Sequence, residues 1–253
     1  MSIIMNRRKL IAGLGGGLFV SGCDSWSRSD RVKAILASAE DLTMGVQRSI
    51  GGATALAREF TTADLSPEFR ANGSRTADSA DYQAMLANGF AGYRLRVDGL
   101  VDRPLSLSLA QLRHMPSRTQ ITRHDCVEGW SAIGQWTGAT LGPLLDLARM
   151  RDSANYIVFH CFDTYGADNR PYYESIDLVD AFHPQTILAY DMNGGELPER
   201  HGAPIRARVE RQLGYKHAKF VSRIEAVASL DDIYGGKGGY WEDVGDYAWY
   251  AGI

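Results

Sequence analysis

Residues 120–131 read Gln-Ile-Thr-Arg-His-Asp-Cys-Val-Glu-Gly-Trp-Ser, or QITRHDCVEGWS. A cysteine stands among charged residues and is followed at once by a glycine and a tryptophan. Read alone, Cys126 has several uses. It is a small buried hydrophobe, half of a disulfide with Cys161, a nucleophile, or a metal ligand. Arg123 and His124 just upstream make an electropositive setting that would favour the thiolate. A zinc site built from His124, Cys126, His160 and Cys161 is disfavoured, because neighbours such as His160 and Cys161 point to opposite faces of a strand. A cysteine protease needs His and Asn or Asp partners that sequence distance does not reveal.

The rest of the chain narrows the choice. Its 253 residues allow one large domain or two small ones, each with a real core. Hydrophobic residues make up 45% and charged residues 23%, values of an ordinary globular protein. The net charge of −3 gives no basic field for nucleic acid, so no nucleic-acid partner is expected. The three cysteines, Cys23, Cys126 and Cys161, form no C-x-x-C pair, which argues against a zinc ribbon or a dithiol redox motif.

The N-terminus reads as an address. Asn6-Arg7-Arg8-Lys9 leads into an apolar run from Leu10 to Val20, about half of the ~20 residues that span a bilayer. The paired arginines resemble a twin-arginine export signal. Val20-Ser21-Gly22-Cys23 resembles a bacterial lipoprotein processing site, with Asp24 resembling the signal for retention at the inner membrane. The expectation is a signal peptide over 1–22, a tether over 23–30 and a periplasmic domain over 31–253, anchored to the membrane by lipid on Cys23. Loss of 1–22 removes Arg7, Arg8 and Lys9 and no acid, taking the charge from −3 to −6. A twin-arginine route exports folded proteins, which suits a cofactor inserted in the cytoplasm.

Beyond the tether, Val32, Ile35, Leu36, Ala39, Leu42 and Val46 recur at helical spacing and predict an amphipathic helix. Another turn or two of helix is expected over 53–60, then loop from Thr61 to Asp81. Alternation predicts strands at 93–97, closed by a turn at Asp98-Gly99, and at 155–162, 186–190, 205–210 and 220–229. Asn193-Gly194 signals a hairpin. Short helices are expected near 109–114, 141–149 and 178–182. Mixed hairpins and short helices point to an α+β fold. The aromatic, glycine-rich end, YGGKGGYWEDVGDYAWYAGI, is either a tail packed on the core or a flap closing a cleft.

CVEGWSAIGQWTG (126–138), LAYDMNGGELPERHGAPIR (188–206), Lys219, FRANG (69–73) and the aromatic tail together resemble the sulfite oxidase-type molybdopterin family, over roughly residues 60–250. The resemblance implies that family's α+β domain of mixed sheets, hairpins and short helices, with molybdenum and molybdopterin as cofactors. It implies Cys126 as the one protein thiolate on molybdenum, and His201, Arg206 and Lys219 on the phosphate end of the pterin, with His217 beside them. It places Arg70 at the substrate, Asn72 in a pterin-contacting loop and Tyr247, with Tyr250 as its rival, as the active-site tyrosine. Cys161 takes a position where relatives carry a polar cofactor contact. The chemistry suits these residue types. Soft thiolate sulfur matches a metal already held by dithiolene sulfurs, and a guanidinium fork binds two oxygens of an anion at once.

The chain is thus expected to be a molybdenum-molybdopterin oxidoreductase transferring an oxygen atom on a small sulfur oxyanion such as sulfite. His201-Gly202 leans that way. Arg70, with Arg123 and His124, supplies the cations a dianion needs. No C-x-x-C-H haem motif occurs, so electrons are expected to pass through a separate cytochrome or quinone-linked membrane protein. The alternatives are a periplasmic sulfoxide reductase of the same family, with an open aromatic mouth, and a non-enzymatic exported lipoprotein binding module with a Cys126–Cys161 disulfide.

Overall fold

The computed structural model describes residues 38–39, 42–49, 52 and 54–253. The signal, tether and lipid-anchor expectations lie outside the described residues. The chain divides into two units, Met1–Ile50 and Gly51–Ile253. In the first, residues 42–49 are helical as the spacing predicts, with Leu42 and Val46 exposed. No helix among the described residues is long and apolar enough to cross a membrane.

The second unit is α+β. One mixed five-stranded sheet has the order β2-β1-β10-β5-β6, built from β1 (Leu95–Gly99), β2 (Leu105–Leu107), β5 (Tyr156–Tyr165), β6 (Arg170–Asp177) and β10 (Val221–Val227). A second sheet runs β3-β4-β7-β8, with β9 also on β7. Its strands are β3 (Ser117–Cys126), β4 (Trp130–Thr140), β7 (Ile187–Met192), β8 (Gly195–Glu196) and β9 (Arg206–Arg208).

One apolar cluster takes side chains from both sheets: Leu95, Val97, Ile157, Phe159 and Ile224 from the first, Ala139, Leu188 and Ala207 from the second. The helix Leu141–Ala148 adds Leu141, Leu144 and Leu145, all buried. Each such side chain contributes roughly 1.5–3 kcal/mol of transfer free energy. The opposite face of the second sheet is different. Period-2 alternation turns Ala207 into the apolar cluster and its neighbours Arg206 and Arg208, both fully buried, the other way. There the two guanidinium carbons lie 5.1 and 4.4 Å from the ring centroid of Trp136. A cationic face under a sheet is an arrangement that a hydrophobic count does not reveal.

Two local expectations are corrected, and a third is met with an addition. Residues 54–60 form an extended strap, not helix: Ala57 exchanges hydrogen bonds with the Gln185 side chain, and Glu59 bridges Thr122. Asp98 and Gly99 belong to β1, pairing in parallel with Glu225 and Ala226 of β10. The stretch 61–81 is mostly irregular, but a helix over Ala80–Ala87 follows it, its start capped by the Ser79 hydroxyl accepting from Tyr82 N.

Candidate functional site

QITRHDCVEGWS is the tip of a hairpin. β3 and β4 pair in unbroken register to a last rung of Cys126 against Trp130, leaving Val127, Glu128 and Gly129 as the loop. Gly129 has φ +84° and its N–H donates to Cys126 O at 3.0 Å. A three-residue hairpin needs a left-handed residue at that point, which explains the glycine after Cys-Val-Glu. Along β3 the buried positions are Gln120, Thr122, His124 and Cys126. The inward face of this strand is polar, and Cys126 ends it.

Arg123 and His124 do not act as the sequence suggested. Arg123 is exposed and pairs with Asp125 at 2.9 Å. His124 is buried with Nδ1 2.9 Å from Arg208 Nη1, and burial, then His217, Arg208 and other cations, hold its pKa well below the ordinary value, so it is neutral. Burial, against a backbone hydrogen bond, also pushes the Cys126 thiol up. The bare chain therefore keeps a protonated thiol there, and a metal is what would take the thiolate form. Cys126 and Cys161 are both free, so the disulfide reading is not realised.

Beside Cys126 opens a cleft of about 660 Å³, mouth included. Of the expected site residues, Asn72, Cys126, His217, Lys219 and Tyr247 line it. His201 and Arg206 do not line it but stand behind it, both buried. Arg206 donates from Nη1 to His201 O (3.1 Å) and from Nη2 to His217 O (3.3 Å). Lys219 Nζ donates to the carbonyls of Asn72 (2.6 Å) and Ser74, tying the FRANG loop to the cleft floor. Gly202, with φ +107°, makes room for it: a Cβ there would lie 2.7 Å from Lys219 Cβ. Three assignments move. Arg70 is exposed and sits with Cζ 5.5 Å over Trp130, outside the cleft wall. Cys161 packs against the apolar clusters, and Asp163, two residues on, reaches the cleft in its place. Tyr250 is not on the wall, whereas Tyr247 is, stacked on Trp241 at 5.8 Å.

The electrostatics of this floor are one-sided. Burial first, and Arg208 next, lower Arg206 to about 9; burial and Arg206 lower Lys219 to about 7, with Asp163 offsetting part of that. Burial, then Arg206, Arg200 and Lys219, drops His201 to about 3, and His217 is well below its ordinary value for similar reasons. Cations crowded in a dry site behave in this way when the nearby anions, here Glu210 paired with Arg208 and Asp163 near Lys219, offset only part of the burial cost. Arg206 Nε, His201 Nδ1, His217 Nδ1 and Asn72 Oδ1 are buried without a hydrogen-bond partner. Such atoms cost free energy unless a ligand meets them. Two orphaned donors, Arg206 Nε and His201 Nδ1, and two orphaned acceptors, His217 Nδ1 and Asn72 Oδ1, on a cationic floor with one thiol at the rim fit an anionic, hydrogen-bonding cofactor that also carries a thiophilic metal. The donor set suits molybdopterin, and no group of three or more His, Cys, Asp or Glu suited to a metal occurs among the described residues.

Sequence reading missed Asp163, Tyr165, Tyr172, Tyr215 and Trp241 on the wall. Asp163 had a signal: a carboxylate inside the alternating run YIVFHCFDTY. Its pKa is pushed up to about 6 by burial, against the Ser74 hydroxyl and Lys219. The tyrosines gave none, since aromatic residues are common in strands.

Comparison with known proteins agrees with this construction. The profile of the oxidoreductase molybdopterin binding domain matches residues 83–234, and the chain belongs to this sulfite oxidase-type family of molybdopterin-dependent oxidoreductases. A provisionally named protein-methionine-sulfoxide reductase subunit YedZ1 of Azospira oryzae is 41% identical over 162 residues, 64% of this chain and 56% of that protein. The protein-methionine-sulfoxide reductase catalytic subunit MsrP of Xanthomonas axonopodis pv. citri is 34% identical over 55% of this chain and 46% of its own length. That of Ralstonia nicotianae is 34% identical over 67% and 52%. The chain spans about half the length of the curated relatives it matches. Among solved structures, the sulfane dehydrogenase SoxCD of Paracoccus pantotrophus aligns at TM-score 0.47 and 22% identity, over 56% of this chain and 41% of that one.

Proposed function

We propose that this chain is the molybdopterin-carrying part of a sulfoxide reductase, acting on S-oxides such as methionine sulfoxide. This replaces the sulfite preference of the sequence reading. The observation that carries it is the composition of the cleft around Cys126. A sulfite dianion needs converging cations. Of the three expected, Arg123 is paired with Asp125, His124 is buried and neutral, and only Arg70, stacked over Trp130, has its charge reach Cys126. The wall instead presents Tyr165, Tyr172, Tyr215, Trp241 and Tyr247, with Glu128 beside Cys126. Such a wall favours a neutral, partly apolar molecule. The names of the relatives support the same choice.

Molybdenum in its pterin dithiolene supplies the two-electron oxygen-atom chemistry when bound. The chain does the rest. Cys126 offers the protein thiolate; Arg206, His201 and Lys219 serve the anionic end, and His217 Nδ1, Asn72 and Asp163 offer acceptors. Tyr247 lines the cleft with the other aromatic side chains, and that wall excludes water. The relatives carry the words subunit and catalytic subunit in their names, which supports electron delivery by a separate membrane or cytochrome partner. Export by the twin-arginine route and lipid anchoring through Cys23 belong to the same proposal. The test supplies molybdenum-loaded protein with methionine sulfoxide plus reduced viologen, and separately with sulfite plus ferricyanide. Fast turnover in the first assay is expected; fast turnover in the second alone would reject the reading.

A further inference from the structure

Behind the aromatic wall lies a group of charges that the cofactor floor does not use. Lys216 is fully buried, with Nζ 2.9 Å from Glu174 Oε2 and 2.6 Å from Glu242 Oε1. Both carboxylates are equally buried. Glu174 comes from the middle of β6, Lys216 from the turn Gly214–Lys216, and Glu242 from the helix Tyr240–Gly245. Glu242 Oε2 accepts no hydrogen bond from the chain, and Glu174 Oε2 has only the Lys216 ammonium beside it. The two oxygens reach one spot, since a Cβ on Gly239 would collide with both.

Two carboxylates and one ammonium in a dry interior carry an unbalanced negative charge. A bound proton removes it, and two facing carboxyl oxygens are a place to hold one. Burial accordingly raises Glu174 well above the carboxylate range, Lys216 offsetting only part of that and Glu242 adding to it. Burial pulls Lys216 down, but its two carboxylates hold it above its ordinary value, so the ammonium stays charged.

The store has one visible exit. The Tyr172 hydroxyl lies 3.2 Å from Glu174 Oε1 and 2.8 Å from Tyr215 O, and Tyr172 lines the cleft with Cys126. The groups whose fields fall on this path are Lys216 and Glu242 on Glu174, and Tyr165, Glu242 and Cys161 on Tyr172, while Tyr172 itself acts on Arg206.

We propose that the Glu174–Glu242 pair, bridged by Lys216, stores one proton and passes it through the Tyr172 hydroxyl into the cleft. The inference rests on the sulfoxide reading, because removing oxygen from a sulfoxide consumes two protons and two electrons and yields a sulfide and water. The electrons come from the reduced cofactor, refilled by the partner protein. For the proton step the carboxyl group turns to carry its proton on Oε1, the oxygen that Tyr172 faces; that O–H bond breaks and the proton moves to the Tyr172 phenol oxygen. The phenol's own proton, directed at Tyr215 O at rest, swings away and leaves to the oxygen or water in the cleft. Glu174 remains as a carboxylate beside Lys216, and cleft water restores its proton by the reverse path. No electron moves in this step.

Two measurements test it. Infrared difference spectroscopy on the purified chain at pH 7 should show a protonated carboxyl band that shifts in D2O. That band should vanish in Glu174→Gln and move in Tyr172→Phe, which loses the hydrogen bond but keeps the ring. Turnover of methionine sulfoxide by molybdenum-loaded Tyr172→Phe should then fall on the order of tenfold or more in kcat, with KM nearly unchanged. The decline of the wild-type rate at alkaline pH should be lost in both variants. No protonated carboxyl band, or one that persists in Glu174→Gln, would overturn the store. Wild-type kcat with an intact alkaline decline in Tyr172→Phe would overturn the exit. If the wild type reduced no sulfoxide, only the substrate reading would fall, and the infrared bands would still decide the proton store.

Discussion

Replacing Lys219 by methionine tests the cationic floor, because methionine keeps the length of the side chain and removes only its ammonium. The ammonium donates to the carbonyls of Asn72, Ser74 and Arg200, yet its pKa falls from 10.5 to about 7 through burial and Arg206. Holding that charge against the neighbouring cations therefore costs up to about 5 kcal/mol relative to free lysine. The sign follows from the direction. A lysine lowered on folding contributes stability at alkaline pH that is lost as pH falls from 10.5 toward 7. The empty Lys219→Met protein should lack this pH dependence. An anionic cofactor reverses the cost by raising the lysine again, so binding takes up a proton above pH 7 and weakens up to about tenfold per pH unit. Removing the charge-assisted bond should cost roughly 1.5–3 kcal/mol of cofactor affinity, more than tenfold. The assay is pterin content per chain after dialysis at pH 7, 8 and 9, with thermal unfolding of the empty protein alongside. Equal content in variant and wild type, or the same pH slope in both, would refute the assignment of Lys219 to an anion site.

Cys126→Ser should abolish turnover while the chain folds and retains pterin through Arg206, His201 and Lys219; near wild-type activity would remove Cys126 as the ligand. Gly129→Ala meets no atom within 4 Å of the new Cβ. Its cost is the left-handed backbone alone, about 1 kcal/mol, or a Tm lower by about 2–4 °C, and an unchanged Tm would count against the hairpin geometry. Cys23→Ala should release the protein from the membrane fraction, and Arg7→Lys with Arg8→Lys should leave it in the cytoplasm; export of the double variant at normal levels argues against the twin-arginine route.

The strands legible in the sequence are those that alternate apolar residues against polar ones or gather them in short runs. β10 alternates in part, β5 and β7 show instead as short apolar runs bounded by polar residues, and the Asn193-Gly194 hairpin lies where the turn chemistry puts it. The β3–β4 hairpin that carries Cys126 was not read as strand, because its inward residues are Gln120, Thr122 and His124. Polar-in alternation looks like loop to a hydrophobic count. The strap over 54–60 has the composition of a helix, but its backbone bonds go to Gln185 and Ile121. Only tertiary partners decide that. The block motifs pointed to Cys126, Arg206 and Lys219, since each belongs to a short, specific pattern, and the fold places Cys126 and Lys219 on one cleft with Arg206 buried nearby. Asp163, Tyr172 and Tyr215 come from separate segments that meet only in the fold. The placement of Arg70 has the same origin, because its direction depends on Trp130, a residue of β4 sixty positions further along the chain.

The central claim is that Cys126 binds molybdenum in this cleft. X-ray absorption at the molybdenum edge of purified, loaded protein measures it directly, with metal and pterin quantified on the same sample. The account predicts close to one molybdenum and one pterin per chain, and one sulfur neighbour fewer in Cys126→Ser than in the wild type. An unchanged sulfur count in the variant, or wild-type protein that takes up no molybdenum, would contradict it.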